Sequence, residues 1–413
     1  EELHQLIANE RTQLKIKNKC RNENLTEAKR AKNDEFYTQF NDIQKEIEAY
    51  LEFDSNFFRN KTILLPCDDP EWSNFTKYFA LNFERFGLKK LISTSYAPDS
   101  KEFKMPHQPT LFEVDAPQFD KKKTYTNGKI FVLEKDISGD GKINLDDLAW
   151  DYLEDDGDFN SSYIKKLRDE SDIIITNPPF SLFRDFLAWI LEADKQFLVI
   201  GNMNAITYKE LFPLIKKNKF WLGATNFNKG MYFKVPTNFI HAATYKFEKE
   251  QDGQKVNRVP GVCWFTNIDH GRRHQPLSLM TMAENLRFSK HKEIREKKAY
   301  ATYDNYDAIE VPFADSIPSD YKGVMGVPIT FLDKYSPEQF EIVGSDADDE
   351  SPPIKKYPKK EKVVNGQRMK SKTGTMGCVI KEDDFGSGTF FDVGYPVRAV
   401  YKRIFIKHRQ TSK

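Results

Sequence analysis

Short apolar runs alternate along the middle of the chain with longer stretches in which apolar residues recur at helical spacing. Thr62–Leu65, Leu88–Ser95, Lys129–Leu133, Ile173–Ile175, Gln196–Gly201 and Phe220–Gly223 are brief and rich in β-branched or aromatic residues, and they predict buried strands. Ile43, Ile47 and Leu51 predict one amphipathic helix; Phe75, Phe79, Phe83 and Phe86 predict a second. Further helices are expected over 161–168, over 181–193 with Phe183, Phe186, Leu187, Ile190 and Leu191 inward, and over 209–217. Strand and helix in alternation predict an α/β fold built on a doubly wound sheet. Residues 1–33 are polar, with only Leu3, Leu6 and Ile7 as a weak stripe, and read as an exposed N-terminal arm. A surface excursion and insertion is expected at about 97–150.

With 413 residues, 39% hydrophobic and 14% aromatic, the chain can bury a substantial core and is not of the disordered class. No apolar run is long enough to span a membrane, and no charged-then-apolar leader is visible, so a cytoplasmic protein without a signal peptide is expected. Cys20, Cys67, Cys263 and Cys378 stand far apart, which fits a reducing compartment and gives no zinc-ligand spacing. The net charge is only +1, so any nucleic-acid-binding face must be a local patch.

The chemistry begins where the apolar run Ile173–Ile175 stops at Asn177-Pro178-Pro179-Phe180. Neither proline has an N–H and both fix φ, so the chain there forms a stiff turn at the carboxyl end of a strand. That is the edge of an open α/β sheet where ligands bind. The Asn177 side-chain oxygen and the Pro178 carbonyl can accept hydrogen bonds from an exocyclic amine, while Phe180 stacks on the ring that bears it. Two acceptors draw such an amine toward tetrahedral geometry and free its lone pair for attack on an electrophilic methyl.

Three other segments carry possible site residues. Cys67-Asp68-Asp69-Pro70 follows the first strand, and Asp155–Phe159 precedes a helix. Asp158 and Phe159 read either as an adenine-holding pair or as an acidic cluster favoured by a helix N-terminus. Asp136–Asp147 follows the calcium-loop pattern: Asp136, Ser138 and Asp140 take the first three ligand positions, and Gly141 the turn. Lys142 takes the backbone-carbonyl position and Asp147 the last one. A structural Ca2+ is one expectation there; an Asp/Gly-rich turn without metal is the other.

Asp-Glu-Phe-Tyr-Thr-Gln at 34–39, Cys-Asp-Asp-Pro at 67–70, Asp-Gly-Asp-Phe at 156–159 and Thr-Asn-Pro-Pro-Phe-Ser-Leu-Phe-Arg at 176–184 resemble, in that order, blocks of the EcoRI-type adenine-N6 DNA methyltransferases. So do the segments at 200–210 and 323–333. The resemblance implies a Rossmann-like methyltransferase sheet at 34–235 and a DNA target-recognition region with a C-terminal return to the core at 236–413. It implies S-adenosyl-L-methionine as cofactor, with Phe36 and Tyr37 packing on it, Thr38 bonding its carboxylate, and Asp68 and Asp69 nearby. Asn177, Pro178, Pro179 and Phe180 become the catalytic loop, acting on an adenine flipped out of double-stranded DNA. The chain departs from the family's glycine-bearing cofactor loop: Ser73 and Phe75 stand where glycines are usual.

Arg272, Arg273 and Lys290 lie in basic segments with aromatics nearby and are the candidates for reading bases or phosphates. A second basic stretch, Lys355–Lys360 with Arg368, Lys370 and Lys372, reads as a mobile loop or a linker. A cognate restriction endonuclease acting on the same site, without a stable complex, is an expected partner. The rival readings are an RNA or protein-glutamine amino-methyltransferase and a catalytically silent DNA- or calcium-binding scaffold.

Overall fold

The computed structural model describes residues 37–68, 73–97, 111–225, 227, 229–234, 247–251, 254–346, 355–369, 377–385 and 388–409. These divide into two compact units. The first holds the described residues up to Met203 together with Leu222–His270; the second holds Asn204–Trp221 and those from Gly271 onward.

The first unit contains a small sheet and a large one. Strand β1 (Tyr37–Thr38) opens the described chain, ahead of helix α1 (Phe40–Phe53). The large sheet is formed by β2 (Thr62–Leu65), β3 (Lys90–Ser95), β4 (Lys129–Leu133), β5 (Ala149–Tyr152), β6 (Ile173–Thr176), β7 (Gln196–Asn202), β8 (Trp221–Leu222) and β12 (Val262–Thr266). Their order across it is β5-β4-β3-β2-β6-β7-β12-β8. The central strands β3, β2, β6 and β7 are parallel, and β4, β5 and β12 extend the two sides antiparallel. The architecture is mixed α/β with a large mixed sheet, which fits a methyltransferase-like fold.

Burial on both faces explains the unbroken apolar runs of β2 and β6, in which every residue is buried. Ile63, Leu65, Ile173 and Ile175 join the core made with Ile43, Ile47 and Tyr50 of α1 and with Phe75, Tyr78 and Phe79 of helix α2 (Asn74–Leu81). The alternate residues Leu64 and Ile174 point to the opposite face and are equally buried. The phenylalanine stripe at 75–86 forms two helical pieces, because the chain breaks at Asn82, and Phe83–Phe86 ends on left-handed Gly87. The expected excursion at 97–150 is partly incorporated: β4 and β5 add to the main sheet.

The small sheet has the order β1-β9-β11-β10, with β9 at Met231–Lys234, β10 at Phe247–Gln251 and β11 at Gln254–Val259. Thr38 of β1 pairs with Phe233 of β9.

In the second unit, β13 (Ile309–Glu310), β14 (Met325–Pro328), β15 (Phe340–Ser345) and β21 (Arg403–His408) form a sheet of order β13-β14-β21-β15. Arg403 donates to both carboxylate oxygens of Glu310, and Tyr303 donates to the same carboxylate, so this buried charge is fully partnered. Between β15 and β21 the chain builds a five-stranded sheet from β16 (Glu361–Val364), β17 (Gln367–Met369), β18 (Val379–Lys381), β19 (Thr389–Asp392) and β20 (Pro396–Ala399). Of the segment expected as a loop or linker, Lys355–Lys360 has no regular structure, whereas Arg368 lies on strand β17. Arg368 ties β17 to its neighbours by bonding Glu361 and Asp392, each at 2.6 Å. Lys370 and Lys372 lie outside the described residues.

Candidate active site

Strand β2 has β3 on one side and β6 on the other, so the chain order reverses across it. The loops that leave the carboxyl ends of β2 and β6 are therefore neighbours. The first loop is Pro66-Cys67-Asp68, in which Cys67 takes a left-handed φ of 68°. Asp68 is held on every side. Its backbone N–H donates to Thr94 at 2.7 Å, and its carbonyl accepts from the Ser93 hydroxyl. Its Oδ1 accepts from Ser73 at 2.8 Å and its Oδ2 lies 2.6 Å from the Thr176 hydroxyl. The same Thr176 hydroxyl is 2.7 Å from the Pro66 carbonyl, and its one proton serves either acceptor.

Ser73 also caps α2, accepting from the Phe75 N–H at 3.1 Å. This accounts for the departure from the glycine-bearing loop: a hydroxyl fixes the turn that backbone freedom would otherwise allow. Phe75 is buried, with its ring edge-on to Trp264 at 6.0 Å.

Thr176 is the last residue of β6, and Asn177-Pro178-Pro179-Phe180 follows directly. Pro178 and Pro179 are buried; Asn177 and Phe180 are half-buried. A 3-10 turn over Phe180–Leu182 leads into helix α4 (Phe183–Glu192), Ser162–Glu170 being α3. Phe183 anchors the start of α4: its ring is 5.6 Å from that of Phe265 and fills the space that a side chain at Gly201 would need.

The Phe180 ring meets that of Phe233 edge-on at 6.4 Å. Phe233 is the residue paired with Thr38, and the Thr38 carbonyl accepts from Asn74 at the start of α2 at 2.7 Å. The catalytic-loop candidates, Asp68 and Thr38 thus converge on one end of the sheet. The Thr38 hydroxyl and the Gln39 side-chain nitrogen are both buried without a partner among the described residues. Two adjacent buried donors of this kind fit a carboxylate.

Phe36 and Asp69 lie outside the described residues, and Tyr37 is placed only by its strand pairing. Asp158 accepts from the Asn160 N–H at 2.8 Å in the turn before α3. Phe159 packs in the core, edge-on to Phe186 at 5.3 Å and to Trp189 at 5.8 Å. Gly157 before them must be glycine, since its φ is 82° and a side chain would strike the Ser95 carbonyl.

A calcium ion at 136–147 is not supported, and that expectation is corrected. Asp147 accepts from the backbone N–H groups of Ile137, Ser138 and Asn144, and Asp136 from those of Gly139 and Gly141. Asp140 accepts from the Lys142 N–H. The loop closes on itself through its carboxylates, and no metal-holding group of His, Cys, Asp or Glu occurs among the described residues.

Of the basic candidates, Arg273 is 8% exposed, with its guanidinium 3.6 Å over the Trp221 ring and bonded to Asn218. Arg272 is paired with Asp333 at 2.5 Å. Lys290 pairs with Asp315 at 2.6 Å while staying 74% exposed.

Thr176, Phe233 and Gln39 escaped the sequence reading as site residues. Thr176 carried one signal: it is the only hydroxyl on an otherwise aliphatic strand, two residues before the first proline. Phe233 carried none, because its place depends on a pairing across the small sheet.

The family described as adenine-specific methyltransferase EcoRI matches residues 24–409, nearly the whole chain. This chain belongs to that family. It is a site-specific adenine DNA methyltransferase. The chain is 41% identical to the Type II methyltransferase M.EcoRI of Escherichia coli, over 78% of its own length and 89% of the relative's. It is 36% identical to the Type II methyltransferase M.MpnI of Mycoplasma pneumoniae, over 76% of this chain and 83% of that one. M.MgeORF184P of Mycoplasma genitalium, also named a Type II methyltransferase, is 35% identical over 76% of this chain and 84% of that one. No solved structure matches the chain. No helix among the described residues of this family member is long and apolar enough to cross a membrane.

Proposed function

We propose that this methyltransferase modifies the N6 amine of an adenine flipped out of a short, specific duplex sequence, using S-adenosyl-L-methionine. The observation that carries this reading is the Thr176 hydroxyl, which joins the Asn177–Phe180 loop to the Asp68 loop. Bound at the carboxyl end of the sheet, the cofactor supplies an electrophilic methyl group. Thr38, with Gln39 beside it, holds the cofactor's carboxylate; Phe36 and Tyr37 pack against it. Asp69 faces its ammonium group, and Asp68 keeps the loop in place. Asp158 bonds the cofactor's adenine amine, and Phe159 backs that loop from the core.

Asn177 accepts one amine hydrogen of the target adenine and the Pro178 carbonyl the other, with Pro179 fixing the turn. Phe180 stacks on the base, whose extrusion costs about a few kcal/mol. The target nitrogen loses its proton after methyl transfer, so no general base has to act first. We assign the second unit to target recognition, with Lys290 and Arg272 toward the phosphates and Arg273 positioning its segment on Trp221. The Type II names of the relatives support a role beside a cognate restriction endonuclease at the same site.

Transfer of labelled methyl from S-adenosyl-L-methionine to unmethylated genomic DNA, followed by nucleoside analysis and mapping of modified sites, tests the reading. N6-methyladenine in one short context is expected. Asn177→Ala should abolish transfer and retain cofactor binding; near-normal turnover in that variant would remove Asn177 from the mechanism.

A further inference from the structure

Helix α5 (Met282–Phe288) in the second unit inverts the usual amphipathic arrangement. It buries polar Asn285 completely and leaves its aromatic residue, Phe288, 61% exposed. The platform beneath that ring is tightly fixed. A reciprocal capping box between Thr281 and Glu284 closes the helix start. Ser289, just past the last turn, is buried and accepts from the Arg295 guanidinium through its carbonyl at 3.3 Å. His291 stacks on Phe313 with ring centroids 3.7 Å apart and bonds Asp315 at 2.8 Å. An aromatic ring presented to water from a backbone fixed on both sides is unexplained by packing.

Its surroundings supply the explanation. Between 287 and 298 the chain carries six cationic residues, Arg287, Lys290, Lys292, Arg295, Lys297 and Lys298, against two carboxylates, in a protein whose net charge is only +1. All six are exposed. The Arg287 guanidinium lies 5.0 Å from the centre of the Phe288 ring. An exposed apolar ring amid cations matches the wedge with which some proteins enter a duplex, the cations holding phosphates while the ring parts a base step.

We infer that Phe288 is a wedge that inserts between base pairs of duplex DNA and kinks it, while Arg287, Lys290 and Lys292 grip the flanking phosphates. The inference rests on the reading of duplex DNA as substrate and adds a contact outside the methyl-transfer site. Insertion moves the ring from water into the base stack, and this offsets part of the cost of unstacking.

The test uses the full chain and a duplex carrying the mapped site, or one of mixed sequence where no methyl transfer maps a site, with a fluorophore at each end. Phe288→Ala should weaken Kd about tenfold to a hundredfold and lower the end-to-end energy transfer that reports bending. Its salt dependence should stay that of the parent, whereas Lys292→Gln should reduce the slope of log Kd against log salt by about 1. Phe288→Trp should restore bending, and Phe288→Ala should keep the parent's thermal midpoint because the ring is exposed.

Parent-like affinity and bending in Phe288→Ala, with DNA methylation intact, would overturn the wedge and leave the proposed function standing. Phe288-dependent bending without methyl transfer by the parent would support the wedge and overturn the function. Failure of the parent to bind duplex DNA in dilute salt would overturn both. Phe288-dependent binding to phosphatidylglycerol vesicles, with DNA binding unaffected, would overturn the wedge in favour of a membrane contact.

Discussion

The hydroxyl of Thr176 lies 2.6 Å from Oδ2 of Asp68, a residue 108 positions earlier in the chain. One side chain therefore ties the end of β2 to the end of β6, and in the proposed function it sets the distance from the cofactor loop to the catalytic loop. Thr176→Val keeps the shape of the side chain and removes the donor. The variant should lose about 1–3 kcal/mol of stability, because the buried carboxylate loses the Thr176 donor. It should lose at least tenfold in kcat/KM, and Thr176→Ser should recover most of both. Urea denaturation and steady-state methyl transfer measure the two effects; a Val variant with parent-like kinetics would show that the spacing is set elsewhere.

Phe180 is half-buried and its ring meets that of Phe233 edge-on; in the proposed function it stacks on the target base. Phe180→Ala is expected to reduce the fluorescence rise of 2-aminopurine at the target position and to lower kcat/KM about tenfold to a hundredfold, the range for loss of one base–aromatic stack. An unchanged fluorescence rise would count against stacking.

Glu46, buried in α1, accepts from the Ala224 N–H at 2.7 Å, the Thr225 N–H at 2.8 Å and the Tyr50 hydroxyl at 3.0 Å. Burial pushes its pKa from 4.5 up to about 7. Between those values the folded chain keeps a proton that the unfolded chain has released, so this group's stabilising contribution is complete below pH 4.5 and declines as the pH rises toward 7. Thermal midpoints should fall from about pH 5 to about pH 8, and Glu46→Gln should flatten that part of the profile. A slope retained in the Gln variant would assign it to another group.

Asp147 has the opposite sign. Its bonds from the Ser138, Asn144 and Ile137 N–H groups bring its pKa down from 3.8 to about 2. Its contribution is present above pH 3.8 and is lost as the pH falls toward 2. Because these carboxylates already cap amides, neither calcium nor EDTA should move the thermal midpoint, while Asp147→Asn should lower it. A calcium-dependent rise would restore the metal reading.

How much of this was legible depended on whether a residue's role was local. The buried strands β2, β6 and β7 announced themselves, since burial on both faces demands unbroken apolar runs. The proline pair announced its stiff turn for the same kind of reason. The 136–147 loop misled because its Asp and Gly spacing suits two uses, and only the direction of the carboxylates distinguishes amide capping from metal ligation. The roles of Thr176, Glu46 and Phe233 rest on partners far along the chain, which periodicity cannot express. Arg273 belongs with them: its charge suggested a surface, and its stacking on Trp221 puts it inside.

The five-stranded sheet β17-β16-β19-β20-β18 leaves and rejoins the second unit between paired strands, for Ser345 of β15 faces Ile404 of β21. Its two junctions are therefore next to each other, about 5 Å apart across an antiparallel ladder. Such an insert is a cassette. It can be lengthened, shortened or exchanged without rethreading the sheet that carries it.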